Sequence, residues 1–332
     1  MPDQRVDESG VAQFEIDAVI PWVDGEDPKH SEKRVKFAPK VFGDAPKAAK
    51  NTRYADSGEI EFCVTSILKF APWVRYVFIV TDQQVPEWYA SLSAQLKDRI
   101  RIIDHNEVFR EHKELLPTFN SLSIETMIWR IPDLAERFIY FNDDLALLSP
   151  VKKQDFFTRD GVLIRGKWYS RKIGYFFIKK LKRFIRKGRV THHFSQLQGA
   201  VMAAPSARKF FLTGHIPQPM RKTTLEGFFT NNPGLLINNA KYRFRSWSQF
   251  WPVSLAHHLE IVGGTAVCLD DSESLYLSPS KVTEDEISLL INDSGMSRLK
   301  FLCVQSLDQA SPSFNYQWRN WMKHHVGSIQ DF

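Results

Sequence analysis

The chain has 332 residues, 43% of them hydrophobic and 13% aromatic, enough for one large or two ordinary domains with a real core. No apolar run reaches 18 residues, which excludes a spanning helix. Three cysteines, Cys63, Cys268 and Cys303, are too few and too scattered for a disulfide framework or a zinc site, and the net charge of +6 is unevenly spread: from Gly161 to Val190 stand eleven Lys or Arg and no Asp or Glu.

Residues 1–13 are polar, carry acids and lack the basic and apolar regions of a secretory signal. They read as a disordered leader, with the cytoplasm as the expected setting. Phe14 to Val23 reads as a first buried strand, broken by Gly25 and Pro28. Residues 29–52 are polar and basic and read as a loop or short helices. Ser57 to Phe70 has helical periodicity, with Ile60, Val64, Ile67 and Leu68 on one face. Arg75 to Asp82 reads as a second strand, "VPEWYASLSAQL" as a short helix behind Pro86, and Arg99 to Asp104 as a third strand. Asn120 to Ile131 reads as a helix stopped by Pro132, and "RFIYFND" from Arg137 as a fourth strand. Strand and helix thus alternate through the first 150 residues. That pattern predicts an α/β, Rossmann-like fold, a mostly parallel sheet with helices on both faces.

The second half is less periodic. "SQLQGAVMAAPSARKFFL" reads as a helix broken at Pro205. "TGHIPQPMRKTTLEGFFT" carries His215. Lys241 to Gly264 reads as a strand-like basic and aromatic stretch, then a helix. "TEDEISLLINDS" has a helix start, and "RLKFLCVQSL" reads as a strand. There are no internal repeats and no long low-complexity linker. Residues 14–150 are expected to form the ligand-binding α/β half. Residues 151–332 are expected to complete the same unit as a mixed region, with a basic amphipathic segment over 165–190.

In parallel sheets, ligands bind beyond the carboxyl ends of the strands. Asp24, Asp27, Asp82, Asp104, Asp143 and Asp144 all follow predicted strands. A solvated turn explains any one of them. Several converging on one edge point to a cation or a polar ligand, and hard carboxylate oxygens suit Mg²⁺ or Mn²⁺ beside substrate phosphates. Neither the G-x-G-x-x-G nor the G-x-x-x-x-G-K-[ST] pattern is present.

Several segments together, "IDAVIPWVDGEDP", "NTRYADSGEIEFCVTSILKFAPWVRYVFIVTDQQVPEW", "LPTFNSLSIETMIWRIPDLAERFIYFNDD" and "HIPQPM…FRS", resemble the Stealth family of sugar-1-phosphate phosphotransferases. The resemblance implies a glycosyltransferase A-type fold and a nucleotide-sugar donor, a UDP-sugar being expected. It implies transfer of sugar-1-phosphate to a hydroxyl of an anionic glycan acceptor, with release of nucleoside monophosphate. It also implies Mg²⁺ or Mn²⁺ on Asp143 and Asp144, donor contacts from Asp24, Arg53 and Glu59, and catalytic tasks for Asp27, His215 and Arg245. In Asp27 a loop cap competes with that reading. His215 would take the proton of the acceptor hydroxyl or bond the phosphate covalently. Arg245 would offset charge on the transferred group. His192, His193, His257, His258 and Arg243 have no matching role.

Two other readings stand beside it. One is an ordinary glycosyltransferase of the same fold that attacks at the sugar carbon. The other is a non-catalytic binder of an anionic polymer. Nucleic acid is not expected, since no nucleic-acid motif accompanies the basic stretch. Within that stretch Lys179, Lys180, Lys182 and Arg183 are expected to hold either the growing anionic glycan or the anionic inner face of a membrane.

Overall fold

The computed structural model describes residues 14–38, 58–171, 191–278 and 298–332. Strand β1 (Ile16–Pro21) is followed by helices α1 (Pro28–Phe37) and α2 (Glu59–Phe70), β2 (Val77–Thr81), α3 (Ala94–Arg99), β3 (Ile100–Asp104), α4 (His105–Phe109), α5 (Ser121–Met127), β4 (Arg137–Tyr140) and β5 (Leu145–Leu147). The chain continues through β6 (Val162–Ser170), α6 (His192–Ala203), β7 (Lys209–Thr213), β8 (Gln218–Arg221), α7 (Lys222–Asn231), α8 (Pro233–Ala240) and α9 (Pro252–Val262). It ends with β9 (Ala266–Leu269), β10 (Ser274–Leu277), β11 (Phe301–Val304) and α10 (Pro312–Val326).

The main sheet has the order β3-β2-β1-β4-β8. The first four strands are parallel and β8 is an antiparallel edge. Its strands are apolar on both faces because both faces are covered. Ile16, Ala18 and Ile20 of β1 enter a core shared with α2 and α10, while Val19 of β1 and Phe78 and Val80 of β2 face a second core with α5, α7 and α9. Asp17 breaks the apolar run of β1 and is fully buried. It is tolerated because it is fully bonded: Arg75 donates to it through Nε (2.9 Å) and Nη2 (2.7 Å), and the backbone amides of Tyr76 (3.2 Å) and Ala135 (2.7 Å) donate as well.

The order reverses direction between β1 and β4, so the crevice beyond their carboxyl ends is the topological switch point. The loops that carry Asp24 and Asp27, and Asp143 and Asp144, both leave from there. Two smaller sheets flank it, β10-β11-β5 and β7-β6-β9. Strand β8 completes the main sheet and β11 pairs with β5, so residues beyond 150 are built into the architecture of the first half.

Several elements differ from expectation. The segment 86–98 is a 3₁₀ turn at Glu87–Ser91 and then α3, because Ser93 accepts from the Leu96 amide (3.2 Å) and starts a new helix there. Asn120 is the cap of α5, accepting from Leu122 N at 3.2 Å, and the helix tightens to a 3₁₀ turn over Ile128–Arg130. Phe210 and Phe211 belong to β7, one facing each side of that strand. The basic and aromatic stretch 241–250 is an irregular loop, not a strand. Strand β8 contains Pro219, which an edge position tolerates. The expected leader 1–13, the helix start at 283–294 and most of the basic segment lie outside the described residues.

Candidate active site

Asp143 and Asp144 sit in the turn between β4 and β5. Strand β11 holds that turn from the side: Val304 N donates to Asp144 O at 3.0 Å, next to the pairing of Cys303 with Leu145. The Cys303 thiol lies near the Asp144 carboxylate, and its proton affinity is raised by burial and by the charge of that carboxylate. Asp144 Oδ1 is buried and meets no hydrogen-bond partner among the described residues. Burial first, then the negative charge of Glu59, push the Asp144 carboxyl up to about 7. The two acids and Glu59, at the start of α2, line one cleft with Leu302 and Val304 of β11 and Trp318 and Met322 of α10. The burial of Asp144 thus depends on the C-terminal helix.

This chemistry fits a divalent cation. Two adjacent carboxylates and a third acid crowd a half-buried spot, and one oxygen lacks a donor. No group of three or more His, Cys, Asp or Glu converges as a metal cage among the described residues. A site of one or two carboxylates completed by water and phosphate matches how Mg²⁺ is usually held.

Asp24 and Asp27 flank the start of α1. Asp27 is its cap: Oδ1 accepts from Lys29 N (2.7 Å) and His30 N (3.4 Å). Its Oδ2 accepts from the Gln84 amide at 3.1 Å, and that bond is the main reason its carboxyl lies below the usual range. Gln84, itself buried, also exchanges hydrogen bonds with the backbone of Asp24. Both oxygens of Asp27 therefore hold the β1–α1 loop against the end of β2. Asp82 is paired with Lys33 (3.1 Å), and Asp104 caps α4. Neither carboxylate stands open to a ligand as the strand-end pattern suggested.

His215 follows β7 and is mostly buried, which lowers its proton affinity. Its ring lies 5.3 Å from the Tyr276 ring and 5.0 Å from the His192 ring. Tyr276 lies within electrostatic reach of Asp144 and Cys303, so this ring chain leads from His215 to the acids. Arg245 is exposed on the irregular loop and donates to Ser121 Oγ at 2.6 Å. Buried Gln249 shapes that loop: it donates to Asn239 O (2.7 Å) and accepts from Asn120 Nδ2 (2.8 Å) and Ser246 N (2.8 Å). Arg245 also attracts Glu125, whose carboxyl burial pushes up, and lowers the proton affinity of His192. Tyr140 joins Glu125 Oε1 (3.0 Å) to Asn142 Oδ1 (2.7 Å).

Glu59, Asp143 and Asp144 thus line one cleft, while His215 and Arg245 both act on His192. Arg53, Lys179, Lys180, Lys182 and Arg183 lie outside the described residues. Gln84, Glu125, His192 and Tyr276 were not legible, since nothing in their local sequence distinguishes them from surface or core residues.

Residues 14–41 match the model of Stealth protein conserved region 1, and residues 53–164 match that of conserved region 2. Both are models of the Stealth family. The two regions hold Asp27, Arg53, Glu59, Asp143 and Asp144 of this chain. Similar proteins include a capsular polysaccharide phosphotransferase of Haemophilus influenzae, 43% identical over 147 residues, 44% of this chain and 39% of that one. An exopolysaccharide phosphotransferase of Streptomyces coelicolor is 30% identical over 256 residues, 74% of this chain and 25% of that one. The chain therefore spans well under half of either relative. Among solved structures, the bifunctional glycosyltransferase WbbM has a TM-score of 0.48 at 9% identity, covering 94% of this chain and 50% of that one, too low a score to argue from.

Proposed function

We propose that this chain transfers sugar-1-phosphate from a nucleoside-diphosphate sugar to a hydroxyl of a surface glycan, forming a phosphodiester. The observation that most supports the reading is the position of Asp143 and Asp144 at the switch point of the sheet, with the His215 ring beside Tyr276, which feels the charge of Asp144. The names of the relatives supply the reaction class, capsular and exopolysaccharide phosphotransfer. A UDP-sugar is the expected donor and an anionic glycan the expected acceptor.

His215, neutral because it is buried, takes the proton of the acceptor hydroxyl. The hydroxyl oxygen forms a bond to the sugar-proximal phosphorus. The bond from that phosphorus to the bridging oxygen breaks, and the electron pair leaves with the nucleoside monophosphate. Arg245 offsets the charge that builds on the phosphoryl oxygens. Asp143 and Asp144 would hold Mg²⁺ or Mn²⁺, which when bound supplies positive charge against the diphosphate. Asp24 and Asp27, tied by Gln84, fix the loop at the edge of the crevice. Incubation with Mg²⁺, a panel of UDP- and GDP-sugars and glycan oligosaccharides should release nucleoside monophosphate. Release of nucleoside diphosphate would instead mean attack at the sugar carbon.

A further inference from the structure

His192 opens helix α6 and has no task in the reaction as just described. Its ring meets the Trp251 ring edge-on at 4.5 Å between centroids and lies 5.0 Å from the His215 ring, tilted by 30°. Two aromatic neighbours thus fix where this imidazole can point. Its Nε2 is buried and meets no hydrogen-bond partner among the described residues. A buried polar atom left so is unfavourable by ~1–3 kcal/mol, and folded chains rarely leave one without a ligand or a water to meet it. The groups that face the ring are His215 from the β7–β8 loop, Arg245 from the irregular loop, Trp251 at the start of α9, and His193 on its own helix. None of them is an acid, and Arg245 is a permanent cation. A ligand atom that arrives here meets a positive environment, which suits an anionic oxygen.

We propose that His192 is a further catalytic residue, whose Nε2–H donates a hydrogen bond to a non-bridging oxygen of the phosphoryl group in transit between His215 and Arg245. This rests on reading the site as a phosphoryl-transfer centre. Burial, reinforced by His215 and Arg245, holds the proton affinity of this ring down to about 3. His192 therefore stays neutral at working pH and cannot compete with His215 for the acceptor proton. The two adjacent histidines divide the work: one accepts a proton, and the other donates a hydrogen bond without changing charge.

His192→Phe keeps a ring against Trp251 and His215 but removes the donor. His192→Gln keeps a donor near the position of Nε2. Loss of one preorganised donor to a developing oxyanion lowers turnover by ~100-fold. His192→Phe should show that loss with a nucleotide-sugar KM changed by less than ~3-fold, the pattern of a contact made mainly in the transition state. His192→Gln should recover at least ~10-fold of it, which packing alone would not do. An assay independent of turnover uses ¹⁵N-histidine-labelled wild-type protein. Addition of glucose 1-phosphate with Mg²⁺ should move the His192 imidazole N–H proton downfield. Unimpaired turnover by His192→Phe, or an unmoved His192 resonance while glucose 1-phosphate binds, overturns the inference and leaves phosphoryl transfer standing. No binding of glucose 1-phosphate, together with no nucleoside monophosphate from any sugar nucleotide, overturns both.

Discussion

Asp144→Asn should make the chelated protein more stable at alkaline pH. The carboxyl of Asp144 is raised from 3.8 to about 7 in the fold by burial and by Glu59. Between those values the folded chain keeps a proton that the unfolded chain has released. Stability is therefore intact below 3.8, falls as pH rises through the window, and has lost its full amount above 7. The difference of 3.2 between the two values, at 1.36 kcal/mol for each, gives about 4 kcal/mol as an upper figure. Unfolding a chain of 332 residues carries an entropy of about 0.7 kcal/mol per kelvin, so the full loss corresponds to about 6 °C in Tm. Asparagine has nearly the shape of aspartate and no charge to desolvate. Melts in EDTA should show the variant above wild type by at most about 6 °C at pH 8.5 and by at most about 2 °C at pH 5. Adding Mg²⁺ should then raise the wild-type Tm at pH 8.5 more than that of the variant, because the cation relieves the same charge. Equal melting of the two proteins at both pH values would refute the burial of this carboxylate as the controlling feature.

Asp17→Ala leaves Arg75 and two backbone amides without their shared partner, and should lower the unfolding free energy by about 3–5 kcal/mol in urea titrations. Gly161→Ala would set a Cβ 1.7 Å from Thr265 O between β6 and β9; a loss of about 3 kcal/mol or more, read as the drop in urea midpoint, is expected. Gln84→Ala releases the loop of Asp24 and Asp27 and should raise the donor KM several-fold, with a stability loss of about 1–3 kcal/mol. Because burial lowers the proton affinity of His215, the acid limb of the kcat/KM profile should fall below pH 6.5, the ordinary imidazole value. A limb above pH 6.5 would assign it to another group.

The parallel sheet was legible because β1, β2 and β4 are apolar on both faces and their alternation with amphipathic helices has few architectural solutions. The carboxyl-end position of Asp143 and Asp144 followed from the abrupt end of "RFIYF". The local partners of the other strand-end acids could not be read from that shared pattern: Asp27 and Asp104 cap helices, and Asp82 pairs with Lys33. Strand β8 was hidden by Pro219, which only an unpaired edge tolerates. The strand-like look of residues 241–250 was overridden by Gln249, whose buried amide pins an irregular loop and so sets the position of Arg245. His192 and Tyr276 reach His215 from elements far apart in sequence, through ring contacts that have no local sequence signature.

The most direct test follows the sugar-proximal phosphorus itself. A nucleotide sugar labelled with ³²P at that position, incubated with this protein, Mg²⁺ and a glycan acceptor, should deliver its label to the glycan in a phosphodiester while unlabelled nucleoside monophosphate is released. Label retained in nucleoside diphosphate, with the glycan extended through a glycosidic bond, would contradict phosphoryl transfer.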